Sequence, residues 1–264
     1  MGRRRLDAEL VRRGLAASRS QAQEAVDAGR VTVAGITATK AASLVADDAP
    51  VALSGPSPSF VSRAGGKLAA ALDRFVVEPA RRHCLDAGAS TGGFTDCLLQ
   101  RGAARVIAVD VGYGQLSWSL RIDPRVTVME RMNVRDLTSS KLAYVPDLLV
   151  ADLSFISLRL VLPALAELAA PGATFVVLVK PQFEAGRTRV GRGGVVRDPE
   201  VWRTVLSDVM ATARSVSLRP LNVMASPLPG PAGNVEFPLH LVAGSAPFPV
   251  DLEAAVREGE ALLR

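Results

Sequence analysis

Leu85-Asp-Ala-Gly-Ala-Ser-Thr-Gly-Gly-Phe-Thr95 decides the fold. The stretch reads as the turn between the first strand and first helix of a nucleotide-binding α/β domain. Glycines stand where the backbone bends sharply and where a ligand must lie against it. A helix opening near Gly92 aims its free N–H groups at whatever sits there. The next strand, Arg105-Val-Ile-Ala-Val, ends in Asp110. That acid falls about 20 residues after Gly88, where dinucleotide folds place the carboxylate that takes ribose hydroxyls.

The glycine spacing narrows the ligand. A dinucleotide site wants G-x-G-x-x-G, whereas Gly88 is followed by Gly92 and Gly93 with Ala89 to Thr91 between them. A P-loop needs Gly-Lys-Ser/Thr, but Phe94 stands where the lysine belongs. The pattern D-x-G-x-x-x-G resembles motif I of S-adenosylmethionine-dependent methyltransferases. The resemblance implies a donor site built from Asp86, Gly88, Ser90, Gly92, Gly93, Phe94, Asp110 and Asn133, with S-adenosylmethionine as cofactor and no metal.

The chain has 264 residues, enough for one large domain and a small one. A hydrophobic content of 48% suits a sizeable core, and the net charge of +5 mildly favours an anionic partner such as nucleic acid. Cys84 and Cys97 form no metal spacing and no disulfide framework, so they read as buried reduced thiols of a cytoplasmic protein. The amino terminus, Arg3-Arg4-Arg5 before an amphipathic pattern, is no signal peptide. No apolar run approaches the roughly 20 residues of a membrane span, and no membrane partner is expected.

Residues 1–55 read as a separate α+β module. Leu6, Leu10 and Val11 share a helix face ended by Gly14. Ser18 is expected to cap a second helix, with Gln21 completing a capping box, Ala22, Ala25 and Val26 facing inward and Gly29 stopping it. Val31 to Gly35 is a short strand and turn, and a further strand pair is expected between Ile36 and Leu53. Arg3, Arg4, Arg5, Arg12, Arg13, Arg19 and Arg30 outnumber the acids Asp7, Glu9, Glu24 and Asp27. The series R-x-L-D-x-x-L-V-x-x-G-L-x-x-S-R-x-x-A, followed by G-R-V-x-V-x-G and Lys40, resembles the small RNA-binding domain named after ribosomal protein S-four. That resemblance implies docking on folded RNA through those arginines and Lys40. Ala34 departs from it, because the family places Asn before the glycine of this turn.

Gly55, Pro56 and Pro58 mark residues 56–61 as a linker that lets two modules reorient, and a second domain occupies 62–264. A helix is expected from Lys67, with Leu68, Ala71, Leu72 and Phe75 on its apolar face. Strands are expected at Leu85, at Val106 to Val109, at Val126 to Met129, at Asp147 to Asp152, at Thr174 to Val179, near Leu221 to Met224, and from Asn234 to Val242. Helices are expected at Phe94 to Arg101, Gln115 to Arg121, Ser154 to Ala170 with a kink at Pro163, after Pro199, and at Asp251 to Leu263. Ala185 to Arg197, with four glycines and four arginines, reads as a flexible stretch. Alternating strands and helices imply a parallel sheet covered on both faces, with a late antiparallel insertion.

Ligands of such sheets gather at the carboxyl ends of the strands. Four charged residues converge there. Asp152 ends the fourth strand, Lys180 ends the fifth, Glu236 starts the last, and Lys67 begins the helix before the first. Such a set suits methylation of a hydroxyl, since a sulfonium methyl is already electrophilic and the acceptor must lose a proton. A general base supplies roughly 10²–10⁴-fold. A lysine serves only as its neutral amine, a form that burial and a second lysine favour. Lys180 is taken as the base, with Asp152 and Glu236 orienting the amines. Amino-nitrogen methylation commonly uses Asn/Asp-Pro-Pro-aromatic after the fourth strand, but this chain has Asp152-Leu-Ser-Phe155. Pyrimidine carbon methylation needs a cysteine at the rim, and neither cysteine is there.

Lys67, Asp152, Lys180 and Glu236 match the tetrad of FtsJ-like ribose 2′-O-methyltransferases. With the RNA-binding module, Lys180-Pro-Gln-Phe-Glu184, Gly193-Gly-Val-Val-Arg-Asp-Pro199 and Ser226-Pro-Leu-Pro-Gly-Pro231, the whole chain resembles the TlyA family. The resemblance implies a Rossmann-like, seven-stranded methyltransferase sheet and methylation of cytidine 2′-hydroxyls in ribosomal RNA or ribosomal subunits. The family also carries a haemolysin label. Pro238 interrupts the last strand two residues beyond Glu236, which an edge position would tolerate, though it can shift the carboxylate. Two rival readings differ in class: a non-catalytic RNA-binding regulator, which the complete tetrad opposes, and a pore-forming haemolysin, which lacks a spanning or cationic amphipathic segment.

Overall fold

The computed structural model describes residues 2–16, 19–55, 59–246 and 248–263. The chain divides into two compact units, Met1–Arg63 and Ala64–Arg264.

In the first unit, β1 (Arg3–Arg5) precedes helices α1 (Leu6–Arg12) and α2 (Arg19–Asp27), and four short strands follow: β2 (Val31–Val33), β3 (Ile36–Thr37), β4 (Leu44–Ala46) and β5 (Val51–Leu53). Leu6, Leu10, Ala22, Ala25, Val26 and Val31 form its core. That is the apolar face read from the sequence, and Gly14 leaves α1 at φ +70°. One expectation is corrected, and one strand is new. The arginine run forms a strand, β1, that pairs with β4, while β5 pairs with β2. Thus the segment from Ile36 to Leu53 does not pair with itself but supplies two strands, β3 and β5, to the sheet centred on β2 and one, β4, to the sheet with β1. The expected Ser18 cap lies outside the described residues.

The β2–β3 turn explains the departure at Ala34. Ala34 and Gly35 both have positive φ, +50° and +81°. A two-residue hairpin of this kind favours Asn-Gly, because asparagine tolerates the left-handed region better than alanine.

The second unit holds α3 (Ala64–Phe75), β6 (His83–Ala87), α4 (Gly93–Gln100), β7 (Arg105–Val109), α5 (Trp118–Arg121), β8 (Val126–Met129), β9 (Leu148–Ala151), α6 (Leu162–Leu168), β10 (Thr174–Val179), α7 (Pro181–Glu184), α8 (Pro199–Ser215), β11 (Leu218–Val223), β12 (Phe237–Ala243) and α9 (Leu252–Ala261). The sheet order is β11-β12-β10-β9-β6-β7-β8. β6 to β10 run parallel, and β12 is antiparallel to β10 and β11. The chain crosses from β6 outward to β8 and returns to β9, so the strand order reverses between β6 and β9.

Period-two burial separates the sheet faces. Leu85, Ala87, Ile107, Val109, Leu149, Ala151, Phe175 and Val177 join one core with Leu165 of α6, Trp202 of α8 and Val256 of α9. The alternate residues Val176 and Leu178 meet Leu68 and Ala71 of α3. Every residue of β10 is buried, as a strand covered on both faces requires.

Several boundaries move. Lys67 does not begin α3 but stands one turn inside it. Residues 115–117 are irregular, so α5 is a single turn. The helix expected from Ser154 to Ala170 is a loop, a short 3₁₀ turn at Leu158–Leu160, and α6. Pro163 lies in the first turn of α6, where a missing N–H is harmless, so it marks a start and not a kink. Pro238 is on β12, an interior strand; its carbonyl accepts from Met224 N at 3.2 Å. The stretch from Ala185 to Arg197 holds two 3₁₀ turns, and its end is pinned by Asn234, whose side chain accepts from Val196 N at 2.9 Å and donates to Gly194 O at 2.9 Å. Asp198 caps α8 through Glu200 N at 2.9 Å, and Asp251 caps α9 through Ala254 N at 2.9 Å.

Replacing Ala34 by asparagine is expected to stabilise the first unit by roughly 0.5–1 kcal/mol, since the substitution relieves a left-handed alanine at an exposed turn. Urea unfolding checks this; unchanged or lower stability would show that the turn is not strained.

Candidate active site

The site grows from the reversal between β6 and β9. Ala87 and Ala151 are register partners, and Asp152 N donates to Ala87 O at 3.0 Å. Gly88 then turns away at φ +85°, so close to its neighbour that a Cβ there would lie 2.6 Å from the backbone carbonyl oxygen of Asp152. Gly92 (φ +98°) opens α4, and a Cβ on it would collide with Leu120. Both glycines of the motif are therefore required by backbone geometry as well as by any ligand.

A cavity of about 470 Å³ opens over this turn. Gly88, Ser90, Asp110, Asn133 and Asp152 line it, with Val109, Val111, Met132 and Val134 as an apolar wall. The Asp110 carboxylate accepts from Ser90 N at 2.8 Å and Gly112 N at 2.6 Å. Each carboxylate oxygen can accept more than one bond, so Asp110 retains capacity for a hydroxyl. An apolar slot with Asp110 at its edge fits a nucleoside.

Four residues expected at the donor lie behind this wall. Asp86 is fully buried; Thr95 Oγ1 donates to its Oδ2 at 2.7 Å, and its Oδ1 has no hydrogen-bond partner among the described residues. Burial, followed by repulsion from Asp152 and Asp110, pushes its carboxyl up to about 7. Gly92 and Gly93 form the start of α4, and Phe94 packs with Lys67 and Leu68 under α3.

The four charged residues form two ion pairs. Lys67 Nζ meets Glu236 Oε2 at 2.6 Å, and both side chains are almost wholly inaccessible. Lys180 Nζ meets Asp152 Oδ1 at 2.6 Å, an ion pair that is not an aligned hydrogen bond, and donates to Ser154 Oγ at 3.0 Å. The pairs are neighbours, because Lys180 follows Val179, Glu236 precedes Phe237, and those two residues are register partners. Lys180 is 11% exposed against 5% for Lys67, so of the two amines it is the more open.

Sequence reasoning missed the residues that hold the rim. Glu184 receives Leu158 N at 2.6 Å and Ser157 Oγ at 2.5 Å, fixing the loop whose Ser154, Phe155 and Ile156 line the cavity. Gly230 lies against Glu236, where a Cβ would stand 2.5 Å from Oε1. The signals were present in the Lys180–Glu184 and Ser226–Pro231 segments, but only the fold shows what each touches. Burial pushes both cysteine thiols up to about 12, which removes them as thiolate nucleophiles.

Residues 60–242 match the family model of FtsJ-like methyltransferases. The chain belongs to the FtsJ-like methyltransferase family. It also carries an S4 domain over residues 4–49. It is 54% identical over 240 residues, 90% of either chain, to the 16S/23S rRNA (cytidine-2′-O)-methyltransferase TlyA of Mycobacterium tuberculosis. It is 37% identical over 239 residues, 90% of this chain and 99% of the other, to Hemolysin A of Brachyspira hyodysenteriae. The solved structure of a hemolysin-named protein from Streptococcus thermophilus aligns with a TM-score of 0.78 at 40% identity, covering 99% of this chain and 95% of that one.

In this S4 domain, the expected arginines are not equivalent. Arg4, Arg5, Arg12 and Arg19 keep side-chain exposures of 45–59%, while Arg13 is 22% exposed and donates to Ala49 O at 2.8 Å and Asp47 O at 2.9 Å. Arg13 is thus a strut of the unit as well as a cation. Arg3 and Lys40 are exposed, and Arg30 is half-buried. Among the described residues no helix is long and apolar enough to cross a membrane.

Two outcomes test this geometry. Gly88→Ala is expected to destabilise the methyltransferase unit by about 2–4 kcal/mol, combining backbone strain with a clash that cannot be relieved by a side-chain rotation; wild-type melting would refute the close approach. Asp86 has a folded-state value near 7 against an ordinary 3.8. Its contribution is therefore complete at low pH and is lost as pH rises towards and through 7. Asp86→Asn should remove that slope, so thermal melts from pH 5 to pH 8 should show the variant gaining on the wild type; parallel curves would contradict the shift.

Proposed function

We propose that this protein transfers a methyl group from S-adenosylmethionine to the 2′-hydroxyl of cytidines in ribosomal RNA. The reading rests on two neighbouring lysine–carboxylate pairs, of which the Lys180–Asp152 pair reaches the donor cavity through Asp152, in a chain whose family relative of 54% identity is named for that reaction. Residues 1–55 act as the RNA-binding module, 56–61 as the linker and 62–264 as the methyltransferase domain. Ribosomal RNA or a ribosomal subunit is the partner, and the cytoplasm is where it would meet both.

S-adenosylmethionine supplies an electrophilic methyl on a sulfonium. The apolar wall of Val109, Val111 and Val134 would hold its adenine, and Asp110 its ribose hydroxyls. Gly88, Ser90 and Asn133 complete that cradle. Asp86, Gly92, Gly93 and Phe94 support it from behind by fixing the turn and the start of α4.

With the donor bound, Lys180 as its neutral amine would take the proton of the ribose hydroxyl as the oxygen–methyl bond forms and the sulfur–methyl bond breaks, leaving S-adenosylhomocysteine. Asp152 and Ser154 hold that amine at the edge of the cavity. The buried Lys67–Glu236 pair keeps the neighbouring strand end and the acceptor side of the site in register. Holding the hydroxyl in line with the methyl supplies roughly 7–11 kcal/mol in well-aligned systems, so positioning matters at least as much as the base.

Incubating in-vitro transcribed 16S and 23S rRNA with the protein and methyl-labelled S-adenosylmethionine, then mapping 2′-O-methyl groups, tests the reading. Methylation of cytidine ribose is expected; label on a base nitrogen or carbon would overturn it. Lys180→Ala is expected to lower kcat by roughly 10²–10⁴-fold while leaving the donor Kd within about twofold. Full activity in that variant would remove Lys180 as the base.

A further inference from the structure

Two acids of the S4 domain lie where a binding surface for a polyanion should have none. Asp7 and Glu9 sit in the first turn of α1, and both are buried. Apolar packing does not account for their burial. They are buried beneath arginines. Asp7 receives Arg5 Nε at 3.1 Å, the second Arg5 nitrogen at 2.8 Å, and Arg19 at 2.9 Å from the start of α2. Ala8 N also donates to it, at 2.7 Å. Glu9 receives Arg12 on both oxygens at 2.8 and 2.5 Å and Arg13 at 2.6 Å, with Arg4 of β1 at 3.5 Å. These arginines hold the Glu9 carboxyl at about 2 and the Asp7 carboxyl well below the usual range.

We propose that Asp7 and Glu9 are positioning residues that hold Arg5 and Arg19, and Arg4, Arg12 and Arg13, in a fixed array for RNA phosphates. The inference rests on the reading of the S4 domain as the ribosomal RNA-binding unit. An arginine is long, and ordering it on binding consumes side-chain entropy; a carboxylate that already grips one edge of the guanidinium removes much of that loss. The fork has five N–H donors, so an arginine that spends two or three on its acid still presents donors outward. Asp7 has a second effect: its two arginines come from β1 and from α2, so one carboxylate fixes the separation of cations that the backbone alone leaves to two different elements. Four of the five arginines remain about half exposed while so held.

The sign of the effect separates this from ordinary electrostatics. Removing an acid raises the charge of the unit by one, and counterion release alone then predicts equal or tighter RNA binding. Positioning predicts weaker binding. In the full-length protein, with in-vitro transcribed 16S and 23S rRNA as probe, Asp7→Asn and Glu9→Gln are expected to weaken binding by roughly tenfold and to flatten its salt dependence. They should raise KM for RNA while leaving kcat and the donor Kd unchanged, which a defect spreading to the methyltransferase unit would not do. Asp48→Asn, an exposed acid outside both clusters, should bind as tightly as the wild type or tighter. Asp7→Glu keeps the charge and guards against loss of folding; it should recover part of the affinity. Adding Asp7→Asn to an Arg5→Gln/Arg19→Gln protein should change nothing further. Equal or tighter binding by Asp7→Asn and Glu9→Gln, or a full additional loss in the arginine-substituted protein, would overturn the proposal. If the wild type binds neither RNA, the reading of the S4 domain fails first, and this inference with it.

Discussion

The ion pair between Lys67 and Glu236 joins residues 169 positions apart, and the site depends on it. It ties the helix before the first strand to the entrance of the last. Burying two charges carries a penalty of several kcal/mol per ion, which the mutual attraction offsets only with close geometry. Such a pair is poor value as mere stabilisation, since apolar residues of similar volume would serve as well or better. What it does achieve is registry. Breaking it leaves an uncompensated charge in the core, so the only arrangement the fold tolerates is the one that brings α3, β10 and β12 together at the rim.

The glycines are the counterpart of that constraint. Gly88 lets the end of β6 pass within contact distance of Asp152, and Gly230 lets its loop close on Glu236. In both places a backbone approaches a carboxylate-bearing residue of the two ion pairs more closely than a Cβ would permit. The two acids are thus fixed from opposite directions: by lysines that satisfy their charge and by glycines that leave them room. A cavity built this way is formed before any ligand arrives, which is what catalysis by orientation requires.

Much of this was legible in the sequence because the determinants are local or periodic. The strand–turn–helix around Gly88, the strands at Val106 to Val109 and Thr174 to Val179 and the strand-end charges all follow from spacing. The errors share a physical cause. Pro163 was read as a kink because a proline inside an apolar run looks like an interruption; in the fold the run is two elements and the proline starts the second. Pro238 was read as tolerable at an edge because it lacks a donor, yet β12 is interior, and strand order is a property of the whole sheet that no window of sequence carries. The arginines at 3–5 were not read as a strand because their partner strand lies some 40 residues away. Glu184 and Asn234 went unread for the same reason: their hydrogen bonds go to loops distant in the chain. Among the residues expected at the donor, Gly88, Ser90, Asp110 and Asn133 line the cavity, whereas Asp86, Gly92, Gly93 and Phe94 belong to the layer beneath, a distinction of depth that a motif does not encode.

The two units use charge in opposite senses, and the difference follows from what each must do. In the methyltransferase unit, lysines are drawn inward against acids, so that an amine is held at one point and shielded from water. In the S4 domain, acids are drawn inward under arginines, so that the cations are held outward. Net charge conceals both arrangements, since a paired lysine and a paired arginine cancel an acid equally. The chain's modest +5 therefore says little about its surface. On the proposed reading, what an RNA meets on the first unit is a set of guanidinium edges whose partner acids lie behind them, and a single phosphate feels the near charge more strongly than the one beneath it. Affinity for a polyanion then depends less on how many basic residues the chain contains than on which of them have been given a fixed place to stand.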